Sequence, residues 1–419
     1  MSGLAGREGN GPKMADRLYY QDSFVAEFDA QVISCIPAGD LFCVVLDRTG
    51  FYPASGGQPF DTGRLGDAAV LEVAESEGGE IVHTTDRALP VGAVHGSIDW
   101  PRRFDHMQQH TGQHLLSAIF VSLFGYATAS FHLGREASAI DLAAAQSGIS
   151  PAQLAAAEQR VNEIIFEDRP VAVRYGTREE LAAAGVRKEV QREGLLRAIE
   201  IEGIELQPCG GTHVRRTGQI GMMLLRKCEK QKGNWRVEFV CGGRALAAAR
   251  EDRRLLLESA RALGGAAGDV PALVARAAEE RRQSDRQRKE LQSRLAGYEA
   301  RSLWEEAAAG SGGVRIVQRV LEGAEADYLR LLATRVVEHG RGVALLGARP
   351  GGHVVFAQTA GLAGDMNLVL RSALAGTGGK GGGTRDFAQG SCPDPAAPGR
   401  LEGILGAAAA RLSSNAAAG

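Results

Sequence analysis

The chain has 419 residues, enough for two or three domains, and its 44% hydrophobic and 23% charged content is ordinary for a globular protein. Its 48 Lys and Arg against 50 Asp and Glu give a formal net charge of -2, which excludes a grossly basic nucleic-acid binder while allowing local basic patches. Aromatic residues at 5% exclude stacking on exposed rings as the main mode of nucleic-acid binding, and no apolar run is long enough to span a bilayer.

Residues 1–18 lack the apolar middle of a signal peptide and read as a flexible tail. The six cysteines, Cys35, Cys43, Cys209, Cys228, Cys241 and Cys392, have no disulfide-framework spacing. They are expected to be reduced, in a cytoplasmic protein without a membrane partner. Residues 19–100 carry short apolar runs, LFCVVLD and AAVLEVA, broken by Gly, Pro and Asp, which predicts a small antiparallel, barrel-like β unit. Within it FYPASGGQPFDTG, Phe51 to Gly63, is too rich in Gly and Pro for a strand. It reads as a loop whose backbone approaches something, with Ser55, Gly56, Gly57 and Gln58 at its tip.

Residues 101–245 open with a helix expected to start at Asp105 and close at Gly125, with Leu115, Ile119 and Leu123 at helical spacing. A hairpin turning at Gly134 follows, then a helix from Pro151 behind a capping Ser150. Further strand segments and a short helix, REELAAAG, complete a two-layer α/β sandwich of mixed topology. Residues 246–310 are mostly helical. The run EERRQSDRQRKE, Glu279 to Glu290, has no apolar residue and reads as a solvated tether. Leu291, Leu295 and Tyr298 form a short apolar stripe, suited to ordinary packing or to a second subunit. Residues 311–419 form a separate small α/β domain carrying a Gly-rich loop, Gly376 to Ser391. The fold class is α+β.

The stretch HTGQHLL sets His110 and His114 four residues apart, on one helix face. It is no zincin motif, since Thr111 stands where that motif needs Glu. CGGTH adds Cys209 and His213 on a tight Gly-Gly turn. Three nitrogens and one sulfur suit tetrahedral Zn2+. His106, one turn back, is a lesser candidate. Four protein ligands ordinarily make a structural site, whereas a catalytic zinc keeps a position open; ligand counting leaves both readings standing.

HTGQHLL followed by CGGTH resembles the editing domain of alanyl-tRNA synthetase, and FYPASGGQPFDTG resembles the Gly-rich segment that precedes it. GTGGKGGGTRDFAQGS is similar to the Gly-rich loop of the C-terminal domain that this synthetase shares with DHH phosphoesterases. Without an aminoacylation domain ahead of these parts, the chain resembles the free-standing alanyl-tRNA editing proteins of the AlaX type, in their large form. The resemblance implies a hydrolase that removes serine, and also glycine, from mischarged tRNA(Ala). An alanine pocket rejects such small groups by only ~1–3 kcal/mol, so a second hydrolytic site restores fidelity. It further implies that His110, His114, Cys209 and His213 hold Zn2+, and that Ser55, Gly56, Gly57 and Gln58 approach the tRNA end. Gln113, His132 and Thr111 are then the catalytic or discriminating groups of the pocket.

Phosphate contacts need Lys and Arg. Candidates are Arg215, Arg216, Arg226, Lys227, Lys230 and Lys232 after CGGTH, with Lys380 and Arg385 in the C-terminal domain. A homodimer through the linker or the C-terminal domain is a further expectation. Two competing readings are a non-catalytic tRNA-binding protein with a structural zinc and a metal-dependent hydrolase of small esters.

Overall fold

Along Glu27–Ala38 (β1), Phe28, Ala30 and Val32 point inward while Glu27, Asp29 and Gln31 face solvent, the period-two pattern of a half-buried strand. In the computed structural model, which describes residues 15–144, 148–186 and 194–416, this strand begins a closed barrel. Its other members are Leu41–Leu46 (β2), Gly63–Leu65 (β3), Ala68–Glu75 (β4), Ile81–Thr85 (β5) and Gly92–Ile98 (β6), in the order β1-β2-β5-β4-β3-β6. Phe28, Val44, Leu46, Phe51, Leu65, Val73 and Ile81 fill it. Closure removes the free edges an open sheet would leave. Residues 1–14 of the expected tail lie outside the described residues.

The first long helix, Trp100–Phe124 (α1), starts earlier than the expected Asp105. Asp99 caps it by accepting from the Arg102 backbone N–H, Pro101 fits the first turn, and Gly125 ends it in the left-handed region at φ 71°. Asp105 instead binds Arg244 at 2.6 Å. Gly112 would be unfavourable in a free helix. Here a Cβ at that position would lie 2.4 Å from Cys241 Sγ, so the glycine lets α1 sit against a strand.

That strand, Asn234–Cys241 (β13), belongs to a four-stranded sheet with Ala127–Leu133 (β7), Ser138–Ala143 (β8) and Met223–Gln231 (β12), in the order β12-β13-β8-β7. Helix α1 and Pro151–Phe166 (α2), the latter opened by a Ser150–Gln153 capping box, pack against it through Leu115, Leu116, Phe120, Val161, Ile164 and Phe239. Val171–Gly176 (β9), Leu196–Ile201 (β10) and Glu205–Pro208 (β11) form a separate antiparallel sheet, and the short helix Arg178–Ala183 (α3) lies between β9 and β10 in the chain. The expected two-layer sandwich is therefore one sheet under two helices, with a smaller sheet beside it.

The chain divides into compact units at 258/259, within the helix Gly242–Ala262 (α4). In the second unit, Val270–Glu306 (α5) is exposed throughout the apolar-free run. Its last turns belong to a core, since Ala296 and Ala300 are fully buried with Leu329, Leu332 and Val336 of Ala326–Glu338 (α6). Arg315–Glu322 (β14), Gly342–Arg349 (β15) and His353–Gln358 (β16) join a five-stranded mixed sheet. Adjacent residues of β15 enter different cores: Val343 and Leu345 meet Met366–Leu374 (α7) and Arg400–Ala416 (α8), while Ala344 and Leu346 meet α6.

The Gly-rich segment expected to be a loop is instead an edge hairpin, Lys380–Gly383 (β17) and Phe387–Ser391 (β18), giving the order β14-β15-β16-β18-β17. A Cβ on Gly381 would sit 2.8 Å from Leu370 and from Gln389 O. The glycines there permit close packing on α7 rather than loop freedom. Among the described residues no helix is long and apolar enough to cross a membrane.

Candidate metal centre and cavity

Two stretches far apart in sequence meet in the first unit. Helix α1 turns His110 and His114 toward the segment after β11, which brings Cys209 and His213. The donor atoms of these four residues all lie within 4.8 Å of one another. Cys209 Sγ is 3.5 Å from His110 Nε2 and 3.3 Å from His213 Nε2. A tetrahedral ion with bonds of ~2.0–2.3 Å separates its donors by ~3.3–3.6 Å, so these spacings fit one. All three histidines are at least 95% buried. His106 is buried one turn back with no partner for Nδ1 and is not part of the cluster.

Local structure explains the convergence. A Cβ on Gly211 would lie 2.2 Å from His110 Cε1, so only glycine lets the CGGTH turn come this close. Arg197 Nη1 donates to the carbonyls of Cys209, at 2.6 Å, and Gly211, at 3.0 Å, holding that turn from behind. The Gly211 N–H points at the Cys209 sulfur, 3.4 Å away.

Burial raises the Cys209 thiol, but the charges of His110 and His213 outweigh it and pull the group well below its usual range. Burial lowers His114, yet hydrogen bonds to Cys209 and Glu205 push it up to about 10. Burial and the neighbouring His110 hold His213 well below its ordinary value. Metal ligands must be deprotonated to bind, and a thiol held low is already suited to that role.

His110, His114 and Cys209, but not His213, form one wall of a cavity of about 850 Å³, lined also by Tyr52, Ser55, Gly56, Gly57, Gln113, Thr128, Phe131 and Gln207. Gly56 and Gly57 take φ of 56° and 82°, and a Cβ on Gly57 would lie 2.8 Å from the Phe131 ring. Gln113 opens on the cavity. Its Nε2 donates to Ser117 Oγ at 2.9 Å, Thr128 donates to the same oxygen at 2.8 Å, and Gln113 Oε1 has no partner.

Three expected pocket residues lie elsewhere. Gln58 is 2% exposed, does not line the cavity, and bonds His110 and Thr212. Thr111 is fully buried and bonds Met107 O and His213. His132 is exposed. Its strand does line the cavity, from Ala127 to Phe131, but the lining stops one residue short of His132.

Arg226 pairs with Asp252 at 2.5 Å and Lys227 with Glu229 at 2.7 Å, away from the cavity, and Lys380 is exposed on β17. Glu205, bonded to His114 at 3.1 Å, carries no motif that would single it out in the sequence. Neither do Ser117, Thr128 and Gln207.

Comparison with known proteins identifies the family. Residues 196–238 match the family described as the threonyl and alanyl tRNA synthetase second additional domain. The alanyl-tRNA editing protein AlaX-L of Pyrococcus horikoshii is 31% identical over 397 residues, covering 90% of this chain and 94% of that protein. The chain belongs to the AlaX-L family of alanyl-tRNA editing proteins. It is also similar to the alanine–tRNA ligase of Thermococcus kodakarensis, at 33% identity over 90% of this chain and 42% of the ligase. The alanyl-tRNA editing protein Aarsd1 of Danio rerio is 38% identical over 244 residues, 54% of this chain and 58% of that protein. In this AlaX-L family member the matched segment 196–238 contains the CGGTH turn and Glu205. The helix carrying His110 and His114 precedes that segment, so the candidate centre joins the matched domain to residues outside it.

Proposed function

We propose that this chain is a trans-editing hydrolase that cleaves the ester between serine and the 3′ end of tRNA(Ala), with glycine as a second substrate. The observation that carries this reading is the cavity itself. One wall holds three of the four metal donors, a second holds the positive-φ Gly56–Gly57 turn, and its volume of about 850 Å³ suits an aminoacylated nucleoside.

His110, His114, Cys209 and His213 would hold Zn2+, since the soft sulfur and three imidazoles are its preferred donors. When bound, Zn2+ supplies a Lewis acid that polarises an ester carbonyl and lowers the pKa of a bound water. The chain's own residues do the rest. The Gly56–Gly57 backbone, free of side chains, lets the terminal ribose come close. Gln113, whose buried Oε1 has no partner within the fold, turns that oxygen outward to accept a hydrogen bond from the serine hydroxyl, which glycine lacks. Phe131 closes the cavity against bulk water. Arg226, Lys227 and Lys380 contribute phosphate contacts, although the first two must yield their carboxylate partners to do so. Leu291, Leu295 and Tyr298, 61%, 51% and 70% exposed on α5, support pairing of two copies.

One observation favours a second reading. Four protein donors complete a tetrahedron, as in a structural site, so the metal would organise the cavity while pocket groups position the attacking water. Deacylation of Ser-, Gly- and Ala-tRNA(Ala), with Ser-tRNA(Thr) as control, tests the proposal. Rapid loss of serine with alanine retained is the expected result. Retention of all four aminoacyl groups by a metal-loaded, tRNA-binding protein would leave only the binding module.

A further inference from the structure

Each histidine of the cluster has its outer nitrogen engaged by a different partner, and for His110 the proton can be assigned by elimination. The backbone N–H of Thr212 is a donor and nothing else, so the Gln58 atom 3.0 Å from it is the carbonyl oxygen. The amide nitrogen of Gln58 then donates to Thr212 Oγ1 at 2.8 Å. The same Gln58 oxygen lies 2.8 Å from His110 Nδ1, which must therefore carry the proton. Thr111 Oγ1 lies 2.8 Å from Met107 O and 3.1 Å from His213 Nδ1, so with its hydroxyl proton on Met107 O it accepts from the ring. His114 Nδ1 faces a Glu205 carboxylate oxygen at 3.1 Å. All three rings thus present Nε2 to the centre.

We infer that Gln58, Thr111 and Glu205 are positioning residues that pre-set the metal-binding tautomers, with Gln58 also coupling the Gly56–Gly57 turn to the centre. This rests on the metal reading above. Gln58 suits the coupling because its backbone pairs with Ser55 across the tip of the glycine loop, at 2.9 and 3.1 Å, while its side chain bridges His110 and the CGGTH turn. Metal affinity and the order of the loop are then linked quantities, as outer partners of metal-bound histidines orient the ligand. Anything that frees His110 loosens the loop, and anything that loosens the loop weakens the metal.

The test uses the full chain stripped of metal and reloaded with Zn2+ or Co2+ alone. Zinc affinity is read by competition with a chromogenic chelator, the coordination sphere by Co2+ absorption, and loop order by hydrogen exchange of a peptide spanning Ser55–Phe60. Gln58→Leu, which removes the acceptor, should weaken zinc by ~10–100-fold and abolish the protection that metal gives the loop peptide. Gln58→Glu keeps the acceptor oxygen and should stay within about threefold of the parent, with an unchanged Co2+ spectrum. Thr111→Val provides an independent case at His213 and should weaken zinc without altering the loop peptide.

Failure of the parent protein to bind zinc would overturn the metal reading itself. Zinc binding by the parent, matched within threefold by Gln58→Leu, would overturn the positioning role alone. So would equal losses in Gln58→Leu and Gln58→Glu, since packing rather than the acceptor would then be responsible. Should Gln58→Leu not fold, the Glu and Thr111→Val pair still decides: undiminished zinc affinity in Thr111→Val refutes the inference.

Discussion

Arg103 lies on the same helix as the histidine pair, is fully buried, and reaches the segments that flank the glycine loop. Its Nε is 3.1 and 3.0 Å from the two oxygens of Asp61, Nη1 is 2.9 Å from Ser23 O, and Nη2 binds both Asp61 and Gly50 O. Asp61 in turn accepts the Tyr52 backbone N–H at 2.7 Å, which closes the base of the glycine loop. Arg103→Met keeps much of the volume but leaves a carboxylate of 0% exposure without its counter-charge, and two buried carbonyls without their donor. Removing one partner of a buried pair costs about 3–5 kcal/mol. The expected loss lies in that range, read by urea unfolding through Trp100 and Trp235 fluorescence in a Trp304→Phe background. Adding Asp61→Asn removes the stranded charge yet keeps an acceptor for Tyr52, so the double variant should be more stable than Arg103→Met alone. A loss below about 1 kcal/mol, the range of exposed pairs, would refute the claim that this pair fastens the loop to the helix. So would a double variant weaker than the single one.

His83 is fully buried in the barrel, 2.8 Å from Thr49 Oγ1 and 3.1 Å from Val44 O, and burial holds its pKa near 4 against an ordinary 6.5. The unfolded chain binds the proton more tightly, so stability is complete above pH 6.5 and declines as pH falls toward 4. The loss should reach about 2 kcal/mol at pH 5, and His83→Asn should flatten that slope in paired urea titrations at pH 7.5 and 5. Gly57→Ala imposes a left-handed alanine, at ~1–2 kcal/mol, and drives a Cβ into Phe131. Deacylation of Ser-tRNA(Ala) should fall more than tenfold (~1.4 kcal/mol of barrier) in single-turnover assays, with only the modest stability loss just given. His132→Ala, at an exposed position, should change that rate less than about twofold. Gln113→Ala should narrow the ratio of serine to glycine removal, measured side by side on the two charged tRNAs.

Local signals carried a good part of this protein. The glycines of CGGTH, the four-residue spacing of His110 and His114, and the capping Ser150 are legible because turn geometry and helical periodicity act over a few residues. The donor set could be assembled from them, as could the order barrel, sandwich, helices, second α/β unit. Other features depended on packing. Whether the glycines from Gly376 to Ser391 loop freely or form a hairpin is decided by the close approach of Leu370. Whether His132 lines the cavity is decided by how far along its strand the cavity extends, and the lining ends at Phe131.

The division is sharpest at Gln58 and Glu205. The sequence determined that an amide follows two glycines and that a carboxylate precedes CGGTH. Only the tertiary structure decided that each meets a histidine, across separations of 52 and 91 residues. Chain composition records which donors and acceptors are available, but the energy of a hydrogen bond is set by ångström distances between elements brought together by burial of apolar surface.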